Sequence, residues 1–367
     1  MKLDFSELKE YLDNMPTIGG GPGSDTILLL NGECVFRHQV GFENLEKQEP
    51  MTGKERVNIY SCSKVITCVA AMQLFEKKLF RLEDALSDYI PEYAKMSVID
   101  GETVRPAKSQ ILIENLFTMS AGFSYDVNSP GIRWVKQHLP DCSNIDIAKG
   151  LAQDPLHFDP GTRWQYSLCH DILATVVEVI SGHPFAEYVK EHIFSPLGMT
   201  ETTFMLPDSD LDTIATQYSY DKTLKKPCDC GKAIYAYKFG PKYASGGAGG
   251  ISTCEDYAKF LEALRVGDII LSKDTVDFMA TDRLTPPLRD TYGFAQGYGY
   301  GLGIRCKSSV LDNDITDFGW GGAAGAAAFV DKVHGFTLFT LQHMLHSPNP
   351  ACRAQLPIIV RKILRKQ

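Results

Sequence analysis

Asn58-Ile59-Tyr60-Ser61-Cys62-Ser63-Lys64-Val65-Ile66-Thr67 joins a short apolar extended run to the start of a helical pattern, with a serine at the junction. Side chains three apart on an α-helix share a face, so this spacing stacks Ser61 and Lys64 about one turn apart. A serine hydroxyl is a weak nucleophile at neutral pH and needs a base; a lysine serves where burial disfavours the ammonium form. Val65, Ile66, Val69, Ala70, Met72, Leu74 and Phe75 make the following segment apolar almost all round, as a core helix is. A serine at the start of such a helix also lies beside backbone N–H groups and the positive end of the helix dipole. The Ser61–Lys64 pair alone carries little weight, because a helix cap followed by a surface lysine has the same spacing. The rest of the chain decides.

Composition narrows the field. A chain of 367 residues holds one large or two interlocked domains, each with a substantial core. With 44% apolar and 22% charged residues it reads as an ordinary globular protein. The net charge of −8 and the lack of a long basic run exclude a nucleic-acid footprint. Arg361-Lys362 and Arg365-Lys366 read as the polar face of a final helix. No stretch approaches the roughly 20 apolar residues of a membrane span. Acids within Met1 to Glu10 argue against a signal peptide, so the expected location is the cytoplasm. Ten cysteines fit a reducing compartment as small buried hydrophobes. Cys228-Asp229-Cys230 lacks the second pair that a zinc site needs. Neither metal nor organic cofactor is expected.

Residues 3 to 13 have an amphipathic helical pattern, and a loop rich in glycine between Gly19 and Gly23 follows it. The segments 26–30 and 34–41, joined by Asn31-Gly32, predict a β-hairpin with a type I′ turn. Residues 82–91 read as a short helix ending at Pro91. From Ile111 to about Met205 the apolar spacing is helical, most clearly over Asp171 to Ser181, which Gly182 stops. Strands are expected at 300–305, 326–330 and 336–341, and a closing helix over Leu356 to Leu364. This order predicts a sheet domain from residues 1–85 and 240–367, a mainly helical domain over 86–239, and a cleft between them.

Three further stretches carry possible chemistry. Tyr166, in Trp164-Gln165-Tyr166-Ser167-Leu168, is either a core packer or a proton carrier. Phe318-Gly319-Trp320-Gly321-Gly322-Ala323-Ala324-Gly325 is either a tight bend or a strand entry whose Ala323 N–H joins that of Ser61 in an oxyanion hole. Ser245 to Thr253 is rich in glycine but has neither a Walker lysine nor a Rossmann pattern, so it reads as structural, leading into a helix that starts near Glu255 and is capped by Ser252 or Thr253.

In this order the motifs resemble the serine β-lactamase and penicillin-binding-protein-like superfamily, most closely its carboxylesterase branch, often called family VIII esterases. The resemblance runs from Thr26 to the last strands. It includes residues 116–122 (LFTMSAG), 196–204 (PLGMTETTF) and Glu255-Asp256-Tyr257. It implies an α/β fold of the α+β type, an antiparallel sheet flanked by helices with an inserted helical region. It implies Ser61 as acylated nucleophile, Lys64 as its base partner and Tyr166 as proton carrier. Trp320-Gly321-Gly322 stands where β-lactamases usually have Lys-Thr-Gly, and Leu168 where many have asparagine. Both changes remove polar recognition of an anionic amide, so the resemblance implies a small-molecule ester substrate, with Trp320, Gly321, Gly322, Ala323 and Leu168 lining its site. Acyltransferase, D-amino-acid amidase or peptidase, weak β-lactamase and non-catalytic binding or self-assembly are the alternatives; oligomeric state is open.

Competing layouts fit poorly. There is no Gly-x-Ser-x-Gly elbow and no HExxH pair, and His343 with His346 lacks a third ligand. His170, beside the tyrosine motif, is a weaker candidate base than the serine–lysine–tyrosine set. The role of Cys62 is not set by the sequence. Residues 125–165 and 205–245 are expected to shape the substrate pocket.

Overall fold

The computed structural model describes residues 3–231 and 237–366; residues 232–236, part of the expected 205–245 pocket segment, lie outside the described residues. Helix α1 spans Ser6–Gly19, longer than the pattern over 3–13 suggests, and takes in Gly19 from the expected loop. The Asn31-Gly32 turn forms with φ of 50° and 90°, the left-handed values that a type I′ hairpin demands and that glycine adopts freely. It joins β1 (Gly23–Leu30) to β2 (Glu33–Asn44), which continues through a short β3 (Glu49–Pro50).

From the other end of the chain come β4 (Asp317–Phe318), β5 (Ala327–Asp331) and β6 (Phe336–Gln342). The six strands make one sheet in the order β4-β5-β6-β1-β2-β3. All its pairings are antiparallel, and β1 meets β6 with Leu28 opposite Leu338. Distant chain segments are therefore neighbours at the sheet centre.

Alternation along the strands divides the apolar side chains between two layers. Leu28, Phe329 and Leu338 pack with Leu8, Leu12 and Met15 of α1 and with Leu356 and Val360 of the C-terminal helix. On the opposite face Ile27, Phe339 and Leu341 join the large core, which runs through α2 (Ser63–Glu76) to Leu116, Leu173 and Val176 of the helical region. Twelve of the fourteen residues of α2 are buried, Lys64 among them at 0% exposure. Helix α3 spans Cys169–Ser181, starting two residues before the expected Asp171. Helix α4 spans Cys254–Val266 and is capped by Thr253, whose side chain accepts from the Asp256 N–H. Helix α5 spans Gln355–Arg365.

Several expectations need correction. The 300–305 segment is not one strand. Its ends belong to a hairpin of Tyr298–Tyr300 with Arg305–Lys307, and the Gly301 N–H donates to the Ile304 carbonyl across the bend between them. Residues 82–91 are mostly irregular, with one 3₁₀ turn at Leu86–Asp88 and a second at Pro91–Lys95, because Pro91 starts a turn better than it ends a helix. The mainly helical region over 86–239 also holds short strands, as at Ser97–Asp100 with Thr103–Pro106, before the helical spacing begins at Ile111. Arg361 does not face water: at 5% exposure it pairs with Asp331 at 3.0 Å and with Asp317, tying α5 to the sheet edge. No helix among the described residues is long and apolar enough to cross a membrane.

Glu178, near the C-terminal end of α3, accepts from the Phe185 N–H at 2.8 Å, and burial pushes its carboxyl up to about 7 from an ordinary 4.5. The folded state thus favours the protonated acid, and stability is lost as pH rises from the unfolded value through 7. Glu178→Gln keeps an acceptor for Phe185 and removes the charge. It is expected to raise Tm by roughly 2–4 °C at pH 8 and to leave it unchanged at pH 5. Differential scanning fluorimetry at the two pH values checks this; an equal shift at both would exclude titration as the cause.

Candidate active site

Ser61 lies two residues before α2 rather than at its start as expected, in a 3₁₀ turn over Tyr60–Cys62. The turn follows the two-residue strand Val57–Asn58, which pairs antiparallel with Ile251–Ser252. Tyr60 has φ of 45°, a conformation costly for a bulky residue, on the order of 1–3 kcal/mol. Neighbours hold it there: the Ile59 N–H donates to Gly250 O at 3.0 Å, and the Tyr257 hydroxyl donates to Cys62 O at 2.8 Å. The strained turn leaves Ser61 half-buried at the surface of the core.

Three expected residues meet at this point. The Tyr166 hydroxyl donates to Ser61 Oγ at 2.6 Å, and Lys64 Nζ lies 3.5 Å from the same oxygen. Lys64 Nζ also donates to Gly247 O at 2.7 Å and to the Tyr125 hydroxyl at 3.3 Å. The same nitrogen stands 4.6 Å from the centre of the Tyr166 ring. Gly247 O, the Tyr125 hydroxyl and Ser61 Oγ surround the Lys64 nitrogen and hold the lysine head in one place.

The glycine-rich stretch at 245–253 therefore does more than lead into α4. Gly247 supplies the carbonyl that fixes Lys64, and its lack of a side chain makes room for the site. A Cβ there would lie 2.3 Å from Asp171 Oδ2 and 3.3 Å from Lys64 Nζ. Asp171 is 2% exposed, and its Oδ1 accepts from Tyr243 at 2.7 Å, Ser245 at 2.6 Å and the Gly247 N–H at 3.2 Å. Its other oxygen has no hydrogen-bond partner among the described residues and lies on the Lys64 side of Gly247. Gly247→Ala is expected to cost about 1–3 kcal/mol of stability by overpacking. It is also expected to lower kcat by displacing the lysine head. Chemical denaturation and steady-state kinetics together check this, and unchanged kcat would show that the contact does not position Lys64.

The Trp320 segment closes the other side. Trp320 Nε1 points at the Tyr166 hydroxyl at 3.4 Å, and its ring is 2% exposed. The Gly322 N–H donates to Ala326 O at 2.7 Å in the turn that carries Ala323, which is exposed. Gly322 packs against Ile59, where a Cβ would lie 2.4 Å from the Ile59 carbonyl oxygen. Gly321 makes a bridge to Ala327 at the start of β5. These contacts bring the Ala323 turn beside the strand that leads to Ser61.

Leu168 is a correction. It is fully enclosed at the N-cap of α3, within the large core, and a side chain without accessible surface offers none to a substrate. His170 is buried against Cys68 and Phe117. Burial, helped by the nearby Lys64 charge, pushes its imidazole down to about 3, which leaves it neutral and packed within the core. Cys62 is equally inert, since burial pushes its thiol up to about 12.

Tyr125, Asp171 and the Gly247 carbonyl were not singled out as functional in the sequence. Tyr125 follows the LFTMSAG signature by three residues and stacks on Tyr166 at 5.2 Å with an interplanar angle of 11°, a pairing that only the folded chain reveals. Asp171 was visible only as an acid at a helix start. A backbone carbonyl has no residue-type signal at all.

A serine held by a buried lysine and a tyrosine, on a sheet flanked by helices, defines a serine hydrolase of the β-lactamase and transpeptidase fold. The chain belongs to the Beta-lactamase family, whose sequence profile matches residues 8–357. It is 30% identical over 346 residues to Protein Rv1367c of Mycobacterium tuberculosis, covering 88% of this chain and 86% of that one. It is 26% identical over 348 residues to Esterase EstB of Burkholderia gladioli, covering 87% and 85%. Its fold matches the solved structure of EstCE1, described as a hydrolase with promiscuous acyltransferase activity, at a TM-score of 0.79 and 22% identity over 97% of both chains.

Proposed function

We propose that this enzyme hydrolyses small or medium carboxylic esters through an acyl-Ser61 intermediate. The observation that carries the reading is the hydrogen-bonded set of Tyr166, Ser61 and Lys64. Ser61 Oγ attacks the ester carbonyl as its proton passes to the Lys64–Tyr166 pair. The N–H groups of Ser61 and Ala323 hold the oxyanion, each such donor being worth roughly 10²–10³ in rate. The C–O bond to the alcohol breaks as the pair returns the proton to the leaving oxygen. Water then attacks the acyl-enzyme by the reverse route and releases the acid.

Trp320 in place of a lysine supports esters over anionic amides, because an indole N–H turned to Tyr166 supplies no positive charge for a carboxylate. The esterase relative supports the same substrate class. In this reading the partner is a small molecule, without nucleic acid or membrane, and the ten free thiols support a reducing, cytoplasmic compartment. Acyl transfer to an alcohol is the second reading, favoured by the activity stated for EstCE1.

The test is parallel turnover of a p-nitrophenyl ester series and a chromogenic cephalosporin, with and without an added alcohol. Ester hydrolysis with little cephalosporin turnover supports the proposal. Preferential formation of a new ester assigns the enzyme to acyl transfer, and efficient cephalosporin hydrolysis returns it to the β-lactamases.

A further inference from the structure

Trp320 was expected to line the substrate site, yet it is 2% exposed. The ring that lies open at this place is Phe294, 56% exposed, between the helix Pro286–Thr291 and the strand Tyr298–Tyr300. Single exposed apolar side chains are common and need no explanation. The position of this one is what matters. Phe294 stacks on Tyr166 at 4.6 Å with an angle of 15°, and on Trp320 at 5.4 Å with an angle of 12°. With Tyr125 on Tyr166, four rings lie nearly parallel, and Phe294 is the most exposed of them. Its loop is fastened by Tyr292, which meets Trp164 edge-on at 4.9 Å.

The chemistry proposed for the site gives this stack a direction, and the inference rests on that reading. Tyr166 belongs to the pair that returns a proton to the leaving oxygen, so a ring lying against Tyr166 adjoins the alcohol half of the ester. A flat aromatic alcohol can extend the stack in offset geometry; a puckered one of equal carbon count meets the ring face less well. We infer that Phe294 is the specificity-determining residue of the leaving-group subsite, and that this subsite takes esters of planar aromatic alcohols.

The test compares 2-naphthyl acetate with decahydro-2-naphthyl acetate, and 2-naphthol with decahydro-2-naphthol as product inhibitors, in wild type, Phe294→Ala and Phe294→Leu. Both variants are expected to raise KM for the naphthyl ester and Ki for 2-naphthol about two- to tenfold. The saturated pair is expected to stay within about twofold, since leucine and alanine remove ring stacking in particular. Equal changes for planar and saturated compounds, or no change for either, would overturn the inference. Failure of the underlying reading has a different signature, namely acetate turnover that survives Ser61→Ala.

Discussion

Ser61→Ala is expected to lower kcat on ester substrates by roughly 10⁴–10⁶-fold while leaving the fold intact. The loss is this large because the proposed route runs through a covalent bond to Oγ. Without that atom, the remaining tyrosine, lysine and N–H donors have no nucleophile to serve. Stability is expected to change little, since the side chain is half-buried and the strained Tyr60–Cys62 turn is held through Ile59 and Cys62 backbone contacts that do not involve Oγ. Steady-state kinetics and thermal unfolding of the same preparation check both halves. Ester turnover within tenfold of wild type would mean that another residue is the nucleophile.

Lys64→Met keeps the length and apolar stem of the side chain and removes its nitrogen head. A loss of about 10²–10⁴ in kcat is expected, the range for a positioned proton-transfer group. This variant is also expected to be less stable. Gly247 O and the Tyr125 hydroxyl lose a donor at 2.7 Å and 3.3 Å. An unsatisfied buried group costs about 1–3 kcal/mol. The kinetic loss should therefore be measured well below the lowered Tm, with circular dichroism confirming native content. Loss of stability with kcat preserved would make Lys64 a structural residue only.

The hairpin at Asn31-Gly32, the core helix after Ser61 and the strands at 326–330 and 336–341 were legible because each has a strong local signal: a turn dipeptide, an all-round apolar run, short apolar runs without helical spacing. Ser61, Lys64 and Tyr166 were legible through motif order, and the structure brings these three side chains together. What escaped depends on distant contacts. Gly247 and Asp171 meet Lys64 only because α2 and α3 pack together beneath the 245–253 stretch. Leu168 and Arg361 were misjudged for the same reason, since residue type fixes neither burial nor the presence of a partner. The 300–305 segment failed because glycines at 301 and 303 permit a bend that alternation alone does not reveal.

The measurement that bears most directly on the account is intact-mass spectrometry of the folded protein after treatment with a fluorophosphonate, followed by peptide mapping. One adduct per chain, located on Ser61 and absent from Ser61→Ala, is the result expected. An adduct on any other residue, or one that persists in Ser61→Ala, would contradict the assignment of Ser61 as the nucleophile.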